Sequence, residues 1–187
     1  MIKSITLLKN IFHTLFFLFV LIAAVSCQIT PVPHIGETIK LAASTENYVE
    51  VTITLENKDN DRFLLSATFT PVTPSLHLYS KDIPKKGVNG LGRPTRLELA
   101  EGSFIKASGE LIEGTPSQTP LFEPKELLVY PAGSITLSIP VSLPDGNKWV
   151  NDQVVVTYMA CNEQGCRPPV EEKIISIQIP ESGLIKP

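Results

Sequence analysis

Cys161 and Cys166 form a C-x4-C pair in a polar segment that contains Gly165 and closes on Pro168 and Pro169. Two thiols at that spacing can be a permanent bridge, a redox pair or part of a metal site. Zinc needs four ligands, and neither a second C-x-x-C nor a nearby histidine supplies the missing two. A copper site draws on two histidines, a cysteine and usually a methionine, whereas only His77, Met159 and the cysteine pair are on hand. No metal and no cofactor are therefore expected. A permanent bridge across about six residues removes only roughly 2 kcal/mol of unfolded-chain entropy. A redox pair needs two adjacent sulfurs near the surface, free to alternate between dithiol and disulfide. The spacing alone leaves staple and redox pair both open.

The flanking residues say how the pair is held. Residues 153–159 run Gln-Val-Val-Val-Thr-Tyr-Met, and residues 170–179 set Ile175, Ile177 and Ile179 in alternation with Ser176 and Gln178. β-Branched and aromatic residues at period two suit a half-buried pleated surface, so both flanks are predicted strands. The segment between them is then a hairpin loop, with Cys161 and Cys166 facing each other at roughly 5 Å between Cα atoms. Arg167 follows Cys166 and Glu163 precedes it. Arg167 is either a cation favouring a thiolate, which Glu163 would oppose, or a solvated loop residue.

Tyr158, Met159, Ala160 and Cys161, the polar loop 162–165, then Cys166, Arg167, Pro168 and Pro169 resemble the cysteine motif of the amino-terminal periplasmic domain of the thiol:disulfide interchange protein DsbD. Residues 76–80 (Leu-His-Leu-Tyr-Ser) with Pro94 and Thr95, and residues 129–133 leading into 135–141, are similar as well. The resemblance spans roughly residues 46–180. It implies an immunoglobulin-like fold and an electron relay. A membrane-embedded partner reduces the pair, which then reduces periplasmic thioredoxin-like proteins. On this sequence the resemblance makes Cys166 the cysteine of the mixed disulfide and Cys161 its resolving companion, with Tyr158, Arg167, Pro168 and Pro169 as supporting motif. It also implies an aromatic residue on a loop capping the cysteines, for which Phe104 and Phe122 are the candidates. Full-length members carry a multi-helix membrane domain and a thioredoxin-like domain. Neither is present up to Pro187, so the expected donor is a separate membrane protein. The reading from another class is a non-catalytic envelope lipoprotein, a binding or scaffold module whose pair is a structural disulfide.

The 187 residues are 43% apolar and 19% charged, an ordinary globular composition with room for one domain. A net charge of −3 without any basic run gives no footprint for nucleic acid. Residues 1–27 are read as a signal peptide, with Lys3 and Lys9 ahead of an apolar run at 15–25 that is too short to span a membrane. The run ends in Ala24, Val25, Ser26 and Cys27, similar to a bacterial lipobox. Cys27 is thus the expected lipid anchor of a periplasm-facing envelope lipoprotein, and its acylation leaves an even cysteine pair for an oxidising compartment. The alternatives are an ordinary signal peptide or an uncleaved anchor.

Residues 28–45 read as a tether ending in a first irregular strand, and 46–187 as the folded domain. Residues 48–55 alternate most cleanly, with Val49, Val51, Ile53 and Leu55 on one face. Residues 63–70 return as the partner strand. Further strands are predicted at 76–80, 97–99, 103–107, 126–130 and 134–141. Gly87, Gly90 and Gly92 in the 81–94 loop lack a following helix and a Lys-Ser ending, so they are read as turn residues rather than a phosphate loop. The 109–124 loop is placed over one end of the fold. Some eight strands, sixteen prolines and no amphipathic helix favour an all-β, immunoglobulin-like antiparallel sandwich. His77 lies in a strand and is read as structural, since no nucleophile elbow accompanies it.

Overall fold

The computed structural model describes residues 34, 36–59 and 62–185. The segment read as a signal peptide, Cys27, and residues 28–33 and 35 of the stretch read as tether lie outside these residues. The strands in chain order are β1 (Thr38–Glu46), β2 (Val49–Asp59), β3 (Arg62–Pro71), β4 (His77–Leu78), β5 (Arg96–Leu99) and β6 (Lys106–Ala107). They continue as β7 (Ile112–Glu113), β8 (Ile135–Ser142), β9 (Trp149–Tyr158), β10 (Ala160–Asn162), β11 (Gly165–Cys166) and β12 (Val170–Pro180). All pairings among these strands are antiparallel. The expected all-β antiparallel class is what the chain adopts.

One sheet runs β1-β2-β3-β8, with the short β6 and β7 both pairing with β8. A second runs β12-β9-β5. Their inward faces share one apolar core. Val49, Val51, Ile53 and Leu55 of β2 and Leu65, Ala67 and Phe69 of β3 are buried in it with Val154, Val156, Ile175, Ile177 and Ile179. The alternation legible in β2 and β12 thus selects the buried face of each strand, because successive residues point to opposite sides of the pleat. The other face of the first sheet carries cross-strand hydroxyl pairs, Ser66 with Ser138 at 2.8 Å and Thr68 with Thr136 at 2.9 Å.

The irregular first strand begins at Thr38, inside the segment read largely as tether, and it pairs with β2. Residues 126–130 do not form a strand. Val129 makes only isolated bridges to Tyr79 and Gln118, because Pro124 and the turn after it leave too short an extended run for a ladder. Residues 103–107 shrink to β6, since the Ser103 hydroxyl and the Phe104 and Ile105 amides are drawn onto the buried Asp152 carboxylate. The 109–124 loop holds a two-residue strand, β7, before it crosses to the cysteine end. Among the described residues no helix is long and apolar enough to cross a membrane.

Candidate functional site

The cysteine end is a third, small sheet of order β11-β10-β4. Beyond Tyr158, the last residue of β9, the chain leaves its pairing with β12 at Val170 and re-pairs at Ala160 with Leu78 of β4. This re-pairing lifts Cys161 out of the main core onto a second apolar cluster of Tyr79, Ile83, Leu127 and Val129. The hairpin β10-β11 turns over Glu163 and Gln164, with the Asn162 carboxamide oxygen accepting from the Gln164 N–H at 3.1 Å. Gly165 closes the turn at φ 139°, a conformation that side-chain-bearing residues rarely adopt.

Cys161 and Cys166 are direct ladder partners and form a disulfide, with their Cα atoms 4.0 Å apart. The pairing matches the sequence expectation, although the Cα separation is shorter than the roughly 5 Å anticipated. The neighbouring Arg167 N–H bonds the Ala160 carbonyl at 2.8 Å, which leaves the cysteines at the closer, non-hydrogen-bonded type of position. The two residues are not equivalent. Cys161 is 2% exposed, whereas Cys166 lies at the exposed edge of the small sheet.

Tyr79 was not singled out from sequence. It follows β4 directly, and its hydroxyl donates to Cys161 Sγ at 3.0 Å and lies 3.8 Å from Cys166 Sγ. Its backbone carbonyl accepts from both the N–H and the hydroxyl of Thr95. Its ring packs against Gly92, where an added Cβ would sit 3.3 Å from the ring and 2.8 Å from Leu127 Cδ1. Arg93 braces this loop by donating to the carbonyls of Lys86, Gly90 and Gly92 while pairing with Glu171. The three loop glycines all have positive φ, consistent with turn residues. Burial raises the Tyr79 hydroxyl above the ordinary tyrosine value, so it stays protonated as a donor.

His77 is the ladder partner of Cys161 on the side opposite Cys166. Its ring meets Tyr79 edge-on at 5.5 Å and Phe122 at 5.8 Å. Burial holds its imidazole below the usual histidine value. Phe122 and its neighbours on the 109–124 loop complete an open cleft of about 870 Å³ that both cysteines line. Of the two aromatic candidates, Phe122 therefore stands at the cysteines. Phe104 is exposed beside Asp152, on a different cleft.

The remaining motif residues divide between core and scaffold. Tyr158 is a core residue, 1% exposed, packed edge-to-face on Phe69 at 5.6 Å, with its hydroxyl donating to the Glu46 carbonyl at 3.1 Å. Arg167 lies with its guanidinium 4.6 Å over the Tyr48 ring. Next to Cys166 on an extended chain it projects to the opposite face, so a cation directed at the sulfur is not what the geometry gives. The Pro168 carbonyl accepts from Asn47 Nδ2 at 2.9 Å, and Pro169 leads into β12. Tyr48 and Asn47 thereby moor the stretch that carries Cys166 to the β1-β2 turn. Among the described residues no three His, Cys, Asp or Glu side chains gather so as to hold a metal ion.

Fold and site together define an antiparallel β-sandwich domain that presents an unequally exposed cross-strand disulfide in a cleft. No known family profile matches the chain, and no curated protein matches it. Among solved structures it is similar to the crystal structure of the Neisseria meningitidis DsbD n-terminal domain in the reduced form, at 14% sequence identity and a TM-score of 0.39. That likeness covers 65% of this chain and 78% of the other.

Proposed function

We propose that this protein is a thiol–disulfide relay that faces the bacterial periplasm and passes reducing equivalents through Cys161 and Cys166 to thioredoxin-like partners. The observation that carries the reading is the unequal exposure of the two linked cysteines at the mouth of an open cleft. A relay must offer one sulfur to its partner and keep the other for resolution, whereas a staple has no need of the difference. In the reduced protein the Cys166 thiolate attacks the partner's disulfide, forming a mixed disulfide and releasing one partner thiolate. The Cys161 thiolate then attacks Cys166 Sγ and expels the second. Two electrons have passed to the partner, and the Cys161–Cys166 bond has formed. The Tyr79 hydroxyl supports the Cys161 thiolate by donating a hydrogen bond to it. A separate membrane protein is the proposed donor, restoring the dithiol by the reverse exchange.

The potential of the pair decides between relay and scaffold. Equilibration against defined ratios of reduced to oxidised dithiothreitol is expected to give a value above about −300 mV, within reach of thioredoxin-like proteins. A value well below that marks a structural bridge, and the reading becomes a binding or scaffold lipoprotein.

Attachment through an acylated Cys27 belongs to the same proposal. Intact mass of protein extracted from membranes is expected to show a chain that begins at Cys27 with added lipid. A soluble form beginning beyond Cys27 without lipid mass excludes the anchor.

A further inference from the structure

The strand order β11-β10-β4 sets Cys166, Cys161 and His77 in one row across the small sheet, each the direct ladder partner of the next. Directly opposed residues on antiparallel strands project to the same face, with Cβ atoms about 4.5–5.5 Å apart. His77 Nε2 is buried and finds no hydrogen-bond partner among the described residues. A buried polar atom left unpaired costs free energy, so its retention calls for an explanation. The ring is held between Tyr79 and Phe122 on the cleft that both cysteines line. Resting on the exchange reading above, we propose that His77 is the base that accepts the Cys161 proton in the resolving step.

With Cys166 joined to the partner, the Cys161 S–H proton moves to the imidazole. The thiolate so formed attacks Cys166 Sγ, the partner sulfur leaves as a thiolate, and the imidazolium returns its proton to that thiolate or to water. A base is needed because a thiol of ordinary pKa near 8.5 is only about 3% thiolate at pH 7. The groups facing His77 leave it suited to the task. Tyr79 is committed to Cys161, and the Tyr130 hydroxyl donates to Glu113 and accepts from the Lys81 N–H. Among the described residues that line the cleft, Glu163 is the one that is charged, and it sits in the exposed turn. The imidazolium would thus find its counter-charge chiefly in the Cys161 thiolate it has just generated. Burial of the ring keeps it neutral, and so available as a base, at pH 7.

The test follows the oxidation of the reduced protein by glutathione disulfide, quenched with acid and read by intact mass. The glutathione adduct at Cys166 reports the first step, and its conversion to the internal disulfide reports the second. His77→Phe keeps an aromatic ring against Tyr79 and Phe122. His77→Gln guards against a packing defect in that variant. Both are expected to form the adduct at the wild-type rate and to resolve it about ten- to thirtyfold more slowly at pH 7. That deficit should shrink steadily as the pH is raised, since an alkaline medium ionises a thiol without the help of a base. Resolution at the wild-type rate at pH 7 in both variants overturns the proposal, as does a slowing of equal size at every pH. Failure of a Cys161→Ser protein to form any adduct overturns the exchange reading, and the role of His77 with it.

Discussion

Cys161→Ser protein, isolated from its native envelope under non-reducing conditions, is expected to carry a covalently bound thioredoxin-like partner through Cys166. The corresponding Cys166→Ser protein is expected to carry little or none. The asymmetry follows from burial. Cys166 stands at the free edge of the small sheet, on the exposed two-residue strand β11. Cys161 is 2% exposed, flanked on both sides by strands and covered by the Tyr79 hydroxyl. Without Cys161 the mixed disulfide has no internal thiol to resolve it and persists, which makes the effect nearly all-or-none on a gel. Equal trapping by both variants would remove the assignment of roles. No trapping by either would favour the structural bridge.

The second large effect is on stability. Tyr158→Ala is expected to lower the unfolding free energy by about 3–5 kcal/mol, the range for truncating a large buried aromatic. Tyr158 is fully enclosed, touches Phe69, and closes β9 at the point where the chain leaves one sheet for another. Tyr158→Phe removes only the hydrogen bond to the Glu46 carbonyl and is expected to cost about 1 kcal/mol. Denaturant titration of the oxidised proteins measures both changes. A loss below about 1 kcal/mol in the alanine variant would mean that the ring is not the core element described. The two variants together separate the tyrosine's structural role from exchange chemistry, which the phenylalanine variant should leave unchanged.

The cysteine hairpin was legible because its determinants are local. A strand pattern of period two on either side, a polar turn with Gly165 and two closing prolines fix which residues oppose each other, and the spacing does the rest. The buried faces of β2 and β12 were legible for the same reason, since alternation along one strand selects its inner side without reference to any other. The extended run at 126–130 was misread as a strand because Val129 finds only isolated bridges, a matter of neighbours rather than propensity.

What the sequence could not supply is the placement of Tyr79 and His77 against the sulfurs. Tyr79 and His77 lie more than eighty residues before Cys161, and only the pairing of β4 with β10 brings them to it. Neither residue carries a local signal that separates it from an ordinary strand tyrosine or histidine. Arg167, adjacent to Cys166 in sequence, is turned by the pleat onto Tyr48, while Phe122 on the 109–124 loop comes to rest on His77. Residue types and short spacings determined the pair and its bond. Tertiary structure decided which donor touches Cys161 and which imidazole stands beside it, because these depend on long-range strand order that no local pattern encodes.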